Sequence, residues 1–188
     1  KNTGANGYKY DESQWTLTIE VEDVESQLTV KSHTYTKSVN GAAVQELEHA
    51  VFTNTYRTKP AAYAPQVSKA LTGEARPSEK IFTFLLEADP ENQEGAQLGS
   101  TQTSVTGAGS GKFADITFTK AGTYTFFVTE EDTQANGYEY DGSQWKLTVV
   151  VEDVDSQLTV RSHTYSKGDE TDNETAAAFE NDYQVTET

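Results

Sequence analysis

The chain has 188 residues, a formal net charge of −16 and a hydrophobic content of 35%, which supports only a modest core. This acidity disfavours nucleic acid and anionic membrane as partners, because both recruit clusters of Lys and Arg, and no apolar run reaches the roughly 18–20 residues of a membrane span. The lack of Cys excludes disulfides, redox thiols and thiolate metal sites.

Residues 1–57 repeat the C-terminal part of the chain. The matching segments, in order, are Asn6–Asp11 with Asn136–Asp141, Ser13–Trp15 with Ser143–Trp145, Val21–Val24 with Val151–Val154, Ser26–Val30 with Ser156–Val160, Ser32–Tyr35 with Ser162–Tyr165, and Phe52–Tyr56 with Phe179–Tyr183. We therefore predict that residues 1–57 are the C-terminal half of a repeat and form an incomplete domain. Because the chain begins at Lys, we expect it to be a piece of a longer protein.

Residues 58–65 contain two prolines and small side chains, and they predict an extended, semi-rigid linker. A complete domain is predicted to follow at residues 66–188. Turn residues divide it into short segments of β-type composition with no helical period. The predicted strands are 66–72, 80–87, 97–105, 112–119, 122–130, 144–152, 156–165 and 177–184. This pattern favours an all-β sandwich.

Three of these strands place one polar side chain on an otherwise apolar face. Read with a period of two, Lys69 shares a face with aliphatic residues, and Glu130 ends the apolar face of its strand. Asn181 lies between Phe179 and Tyr183 on the same face of the last strand. Burying a polar group without a partner costs about 2–7 kcal/mol, so we predict that these three side chains meet.

The chemistry of the three groups suggests a covalent bond between two of them. Burial favours the neutral amine of Lys69, which is a nucleophile towards the amide of Asn181. A protonated Glu130 would donate a hydrogen bond to the Asn181 carbonyl and shuttle protons to the departing ammonia. The spacing alone leaves an alternative open, in which Lys69 and Glu130 form a buried ion pair and Asn181 is only hydrogen-bonded.

Longer motifs in the second unit carry a resemblance to a known family. They are Val67–Gly73, Phe82–Leu86, Ala121–Tyr124 followed by Val128–Glu130, Gly137–Asp141 and Phe179–Tyr183. In this order they resemble the pilin isopeptide-linkage repeat of streptococcal-type backbone pilins and related surface adhesins of Gram-positive bacteria. The resemblance implies an Ig-like (CnaB/pilin-type) β-sandwich in which Lys69 bonds Asn181 with Glu130 as the catalytic group. One departure is that Glu180 and Asp182 replace the threonines usual in the last motif; we expect both to point outward.

The same resemblance implies a structural stalk or shaft module of a cell-wall-anchored pilus or adhesin, located outside a Gram-positive cell. Such a module is not an enzyme beyond one self-crosslinking event, and it needs no cofactor and no metal. Its expected partners are neighbouring repeats or pilin subunits, and a host ligand would belong to a tip domain outside this sequence. The alternative is a ligand-binding adhesin module that recognises a host protein or glycan through the sandwich loops.

Asn54 is the repeat equivalent of Asn181, but residues 1–57 contain no counterpart of the strands that carry Lys69 and Glu130. We therefore predict Asn54 as a second or swapped crosslink position. In the swapped arrangement residues 1–57 take the place of residues 131–184, Lys69 bonds Asn54, and chains associate by strand exchange. A hydrolase with paired carboxylates is disfavoured, since the pattern directs only Glu130 inward.

Overall fold

The computed structural model describes residues 3–39, 41–73, 77–168 and 170–185, and within these ranges it does not describe the side chains of residues 39, 44–46 and 170–174. The chain divides into two compact units, Lys1–Arg57 (unit 1) and Thr58–Thr188 (unit 2). The regular elements of the described residues are all β-strands. Among the described residues, no helix has the length and apolar character that a membrane span requires.

Unit 1 is a long antiparallel hairpin with three shorter strands. Its strands are β1 (Tyr8–Lys9), β2 (Gln14–Val24), β3 (Gln27–Val39), β4 (Ala42–Leu47) and β5 (Thr55–Tyr56). The sheet order is β2-β3-β4, and β1 pairs with β5. Leu17, Ile19 and Val21 form one apolar face of β2, and they are 44%, 51% and 51% exposed. Unit 1 therefore presents an apolar sheet face that the described residues leave exposed.

Unit 2 is the β-sandwich expected from the sequence. Its strands are β6 (Ala61–Tyr63), β7 (Gln66–Thr72), β8 (Ile81–Ala88), β9 (Ala96–Gln97), β10 (Gln102–Thr106), β11 (Gly109–Lys112), β12 (Ile116–Phe118), β13 (Gly122–Glu130), β14 (Tyr138–Glu139), β15 (Gln144–Val154), β16 (Gln157–Lys167), β17 (Glu170–Glu174) and β18 (Ala177–Tyr183). The sheet orders are β10-β8-β13-β15-β16-β17, β11-β7-β18-β14 and β6-β12-β9.

The core of unit 2 lies between the six-stranded and the four-stranded sheets. Strands β7, β8, β13, β15 and β18 each bury every second residue, as the period of two predicts for a sheet with one inner face. Phe84 of β8 and Phe179 of β18 meet across the two sheets, with ring centroids 5.1 Å apart. Apolar burial of this kind is the main stabilising contribution to the fold.

The first and last strands of the four-stranded sheet are parallel neighbours. Strand β18 pairs with β7 so that Phe179 is opposite Lys69 and Asn181 is opposite Leu71. The side chains of Lys69 and Asn181 therefore lie on the same face of adjacent strands, one diagonal step apart. Just beyond β7, Gly73 has φ +87°, and a Cβ there would meet the backbone of Tyr183. This turn accepts only glycine without a shift of the chain.

Two predicted strands are each broken in two. The predicted strand 97–105 separates into β9 and β10, and 112–119 separates into β11 and β12. At the first break Gly99 packs directly against the backbone of Asp115. At the second break Phe113 is buried and donates its N–H to the carbonyl of Pro65 at 2.9 Å. Both breaks occur because the chain changes from one sheet to another. Strand β9 pairs with β12 and β10 pairs with β8, while β11 pairs with β7 and β12 pairs with β6 and β9.

The prediction that residues 58–65 are a linker is wrong for part of that segment. Ala61–Tyr63 is strand β6, which pairs with β12 within unit 2. Ala61 is buried, and the Tyr63 hydroxyl lies 3.2 Å from the Tyr165 hydroxyl. The prolines at 60 and 65 flank the strand, where a missing N–H removes no ladder hydrogen bond. Small and aromatic side chains thus fit the sandwich, although composition alone suggested a free segment.

Candidate functional site

The strand β7 places Lys69 in the core. It alternates buried and more exposed residues, and Lys69 falls on the inner face with Val67 and Leu71. Its side chain is fully enclosed. The Nζ atom lies 4.9 Å from the centroid of the Phe82 ring. An ammonium ion in this apolar setting is unfavourable unless an opposite charge meets it.

Glu130 supplies that partner from the facing sheet. It is the last residue of β13, and its side chain is also fully enclosed. Its Oε2 atom accepts a hydrogen bond from Lys69 Nζ at 2.9 Å. Its Oε1 atom accepts a second from Asn181 Nδ2, also at 2.9 Å. One carboxyl group therefore bridges the amine of one strand and the amide nitrogen of another.

Asn181 is completely buried, and its amide has a defined orientation. The carbonyl oxygen Oδ1 accepts a hydrogen bond from the backbone N–H of Asp141 at 2.8 Å. Because a backbone N–H only donates, it must face the oxygen, so the amide nitrogen is directed to Glu130. The prediction that Glu130 donates to the Asn181 carbonyl is therefore wrong: Glu130 contacts the nitrogen that would leave.

Burial shifts the pKa values of both charged groups. It lowers the pKa of Lys69 below its ordinary value, although the hydrogen bond and charge of Glu130 act in the opposite direction. Burial likewise raises the pKa of Glu130, against the effects of Lys69 and Asn181. Both shifts favour transfer of a proton from the ammonium to the carboxylate. Burial thus lowers the cost of forming a neutral amine and a neutral acid from the ion pair.

Asp141 is a site residue that the sequence reasoning missed. It lies between β14 and β15. Its backbone N–H donates to the Asn181 carbonyl, and its carboxylate accepts hydrogen bonds from two other backbone N–H groups. Oδ1 accepts from Ser143 N at 2.9 Å, and Oδ2 accepts from Glu180 N at 3.2 Å. The available signal was its recurrence as Asp11 in the repeated motif.

The sequence of this sandwich matches a known protein family. Residues 65–184 match the model of the family described as FctA, Spy0128-like isopeptide containing domain, and this is well over half of the chain. The chain belongs to this family. No curated protein matches it. The FctA match begins just before β7 and ends just after β18, so it includes Lys69, Glu130 and Asn181.

Solved structures similar to this FctA-family chain are pilins. The major pilin protein T-13 from Streptococcus pyogenes is 18% identical, with 65% of this chain and 52% of that chain covered and a TM-score of 0.51. The major pilin from Streptococcus pyogenes and a mutant of it are each 21% identical, with coverage of 65% and 50% and TM-scores of 0.47 and 0.48. The chain spans about half the length of these pilins. The first similarity shows a shared fold.

The FctA domain brings together three of the four predicted site residues. The fourth, Asn54, lies in unit 1, where it is exposed and its Oδ1 accepts a hydrogen bond from Asp11 N at 3.0 Å. Its crosslinking to Lys69 stays a prediction. Of the two substituted residues beside Asn181, Glu180 is exposed as expected, whereas Asp182 is half-buried and accepts a hydrogen bond from the Thr72 hydroxyl at 2.7 Å.

Side chains able to hold a metal ion do not cluster in the part of the chain that the structure describes: no group of three His, Asp or Glu has a suitable arrangement there. The site of the FctA domain consists instead of one amine, one carboxyl and one carboxamide, with a backbone N–H on the carbonyl. These groups suit acyl transfer from an amide to an amine.

Proposed function

We propose that unit 2 is a structural module of a pilus shaft or adhesin stalk, and that it seals itself with an isopeptide bond between Lys69 and Asn181. The observation that carries this proposal is the bridging carboxyl of Glu130, which contacts both the attacking and the leaving nitrogen in a buried site. Membership of the FctA family agrees with this reading. The module would act at the cell wall of a Gram-positive bacterium and contact neighbouring repeats or pilin subunits.

The reaction begins with the ion pair. The Lys69 ammonium transfers one proton to Glu130 Oε2, which leaves a neutral amine and a neutral acid. Burial favours this transfer, because it lowers the pKa of Lys69 and raises that of Glu130. The neutral amine has a free electron pair and is a competent nucleophile.

The next steps exchange one nitrogen for another on the Asn181 carbonyl carbon. The Lys69 amine attacks this carbon, and the carbonyl electron pair moves onto Oδ1. Glu130 donates its proton to the departing amide nitrogen, and its carboxylate then takes a proton from the Lys69 nitrogen. The C–N bond to the original amide nitrogen breaks, ammonia leaves, and the oxygen electron pair re-forms the carbonyl. Glu130 ends as a neutral acid, and the charges of the pair are gone.

Position supplies most of the rate. Free amines do not displace ammonia from ordinary amides in water, but well-oriented groups in one molecule reach effective molarities of about 10⁵–10⁸ M. Here the fold holds both nitrogens at hydrogen-bond distance from one carboxyl group and excludes water from the side chains. Since each chain reacts once and keeps its product, the domain is a self-modifying structure without turnover.

The mechanical role of the bond follows from the parallel pairing of β7 and β18. Because the strands are parallel, the start of β7 and the end of β18 lie at opposite ends of the sheet, so tension on the chain loads this pair in shear. A covalent bond from Lys69 to Asn181 would transmit that tension directly and leave the intervening chain unloaded. A shaft module needs this resistance to extension.

The intact mass of the purified chain tests the proposal. We expect the folded wild-type chain to be lighter than its sequence by one ammonia, and Lys69→Ala, Asn181→Ala and Glu130→Ala each to restore the calculated mass. Lys112→Ala, an exposed lysine on the strand next to β7, is the matched control and should keep the deficit. A wild-type chain of full calculated mass would contradict the proposal. The alternative role in binding a host protein or glycan stays a prediction.

A further inference from the structure

The carbonyl of Asn181 is held by a donor that is separate from the Glu130 proton relay. Asp141 N donates to Asn181 Oδ1 at 2.8 Å, while Glu130 contacts only the amide nitrogen of that side chain. We propose that the backbone N–H of Asp141 stabilises the negative charge that forms on Oδ1 during isopeptide formation, and that the Asp141 carboxylate positions this N–H. This inference rests on the proposed function and adds a group to its chemistry.

The donor sits where charge develops. When an amine attacks the carbonyl carbon, the carbonyl electron pair moves to Oδ1, and the N–H keeps its proton throughout. A fixed hydrogen-bond donor in a dry site lowers the energy of such an oxyanion without any reorganisation at the moment of reaction. Lys69 and Glu130 supply the nucleophile and move the protons, so neither has to stabilise the oxygen.

The carboxylate of Asp141 fixes the donor from two directions. It accepts from Ser143 N, two residues further along the loop, and from Glu180 N, which directly precedes Asn181 in the chain. The loop and the strand are thus tied together around the Asn181 side chain. Lys167 Nζ lies 3.7 Å from Asp141 Oδ1 and offsets part of its charge.

The electrostatic state of Asp141 suits this role. Partial burial acts to raise the pKa of Asp141, but the nearby Ser143 hydroxyl, the N–H donors and the Lys167 charge outweigh it, so the pKa of Asp141 is lowered and the group stays ionised. Burial is the main cause that raises the pKa of Glu130, and the negative charge of Asp141 raises it further. The same charge also acts to raise the pKa of Lys69, so Asp141 favours the protonated form of both groups and its part in the reaction is the placement of its N–H.

Unit 1 forms the same arrangement independently. Asp11 N donates to Asn54 Oδ1 at 3.0 Å, and the Asp11 carboxylate accepts from Ser13 N at 2.8 Å and from Thr53 N at 3.0 Å. The sequence of this unit has no counterparts of the strands that bear the Lys and the Glu. The Asp–Asn arrangement therefore needs neither of those residues, as expected of a hydrogen-bond donor that is in place before any reaction.

Replacing a single backbone N–H by oxygen tests the donor directly. The chain has no Cys, so residues 1–134 can be ligated in denaturant to a synthetic 135–188 segment that begins with Cys, which is then desulfurised to the native Ala135. Ligation in denaturant yields full-length chain before the site has assembled. The test chain has an ester in place of the amide at Asp141. The control has an ester at Tyr138, whose N–H donates to the Ala135 carbonyl at 3.1 Å in the same loop.

Each chain is diluted into native buffer, and samples are quenched over time for intact mass. Every chain carries Trp15→Phe, so fluorescence of Trp145 follows the folding of unit 2 in parallel and the rate of ammonia loss is expressed per folded chain. We expect the Asp141 ester to slow ammonia loss by about 100- to 1000-fold, the usual effect of removing one oxyanion donor. The Tyr138 ester should react within a few fold of the all-amide chain. An Asp141 ester that folds and reacts as fast as the control would overturn the inference.

Side-chain variants keep the inference testable if the ester chain does not fold. Asp141→Ala removes both anchors of the loop, whereas Asp141→Asn retains one acceptor oxygen. We expect the rate of ammonia loss per folded chain to be highest in the wild type, lower in Asp141→Asn and lowest in Asp141→Ala. The stability of each variant is measured separately with Lys69→Met, where no bond forms. Lower stability with an unchanged rate would mean a merely structural role and would overturn the inference. An all-amide chain that never loses ammonia would instead remove the proposed function itself.

Discussion

Replacing Lys69 by methionine removes the nitrogen of the proposed crosslink while keeping an unbranched side chain in the buried position. It also leaves the Glu130 carboxyl without its Lys69 partner, which adds a cost unrelated to the crosslink. The double variant Lys69→Met/Glu130→Met removes that second cost, because no carboxyl group is then left at position 130. The double variant still leaves the buried Asn181 Nδ2 without its Glu130 acceptor, so a polar cost of about 1–3 kcal/mol adds to the effect of the covalent bond on the free energy of unfolding.

The size of this effect follows from the loop that the bond closes. A bond between positions 69 and 181 closes a loop of roughly 110 residues, and the loss of chain entropy in the unfolded state then stabilises the fold by about 5 kcal/mol, by analogy with a disulfide. For a domain of this size that difference corresponds to a fall in Tm of about 15–25 °C. The single variant Lys69→Met should lose a similar amount, because there Glu130 loses Lys69, whereas in the double variant Asn181 loses Glu130.

Denaturation by guanidinium chloride, followed by the fluorescence of Trp145, measures these values. Trp145 is 4% exposed and donates its indole N–H to the Ala178 carbonyl, so its signal reports on the core of unit 2. Trp15→Phe in every variant removes the signal from unit 1. Besides the lower midpoint, we expect a larger m-value in the double variant, since its unlinked chain exposes more surface on unfolding. A double variant whose unfolding free energy lies within about 1 kcal/mol of the wild type would refute the reasoning.

Two further predictions concern the same core. In Asn181→Ala, Lys69 and Glu130 stay buried and unlinked: the raised pKa of Glu130 gives stability that is present below pH 4.5 and lost as the pH rises through its folded-state pKa. The lowered pKa of Lys69 gives stability that is present above pH 10.5 and lost as the pH falls through its folded-state pKa. The free energy of unfolding, measured at a series of pH values, should therefore pass through a minimum between pH 4.5 and pH 10.5. A flat profile would count against burial of the pair. Tyr165→Phe removes the hydroxyl that accepts from Gln66 N at 2.8 Å and should cost about 1–3 kcal/mol in unfolding experiments, with the ammonia deficit unchanged. A Tyr165→Phe chain of full calculated mass would show that this hydroxyl also governs the crosslink.

The positions of Lys69, Glu130 and Asn181 could be predicted because strand geometry is simple. Side chains alternate between two faces, and apolar neighbours mark the inner one, so a lone polar residue in that series points to the core. The repeat helped as well, since Phe52–Tyr56 and Phe179–Tyr183 share the same pattern. The roles of the three residues in a covalent bond stay a prediction.

Contacts made by the backbone could not be predicted in the same way. The hydrogen bond from Asp141 N to Asn181 Oδ1 depends on where a loop approaches a strand, and a backbone N–H has no residue type that would reveal it. The same limit explains the orientation of the Asn181 amide, which was predicted with its carbonyl towards Glu130. The recurrence of Asp11 and the Gly137–Asp141 motif pointed to this loop, but neither revealed the contact that its backbone makes.

The change of sheet after β11 was also beyond the sequence. Residues 112–119 are β-forming throughout, and nothing local distinguishes a strand that stays in one sheet from a strand that crosses to another. The buried Phe113 and the hydrogen bond from its N–H to Pro65 mark the crossing, and both are tertiary contacts. Strand type could thus be predicted, whereas the choice of partner strand could not.

Peptide mapping of the folded chain tests the covalent bond most directly. Trypsin does not cut after an acylated lysine, and it cuts poorly before proline. In segment 58–80, Lys59 and Arg76 are each followed by proline, so the segment stays whole when Lys69 is linked. We predict one species in which 58–80 is joined to 168–188, lighter than the sum of the two by one ammonia, with fragment ions that place the bond between Lys69 and Asn181. Cleavage after an unmodified Lys69, or a bond to the peptide that contains Asn54, would contradict this assignment.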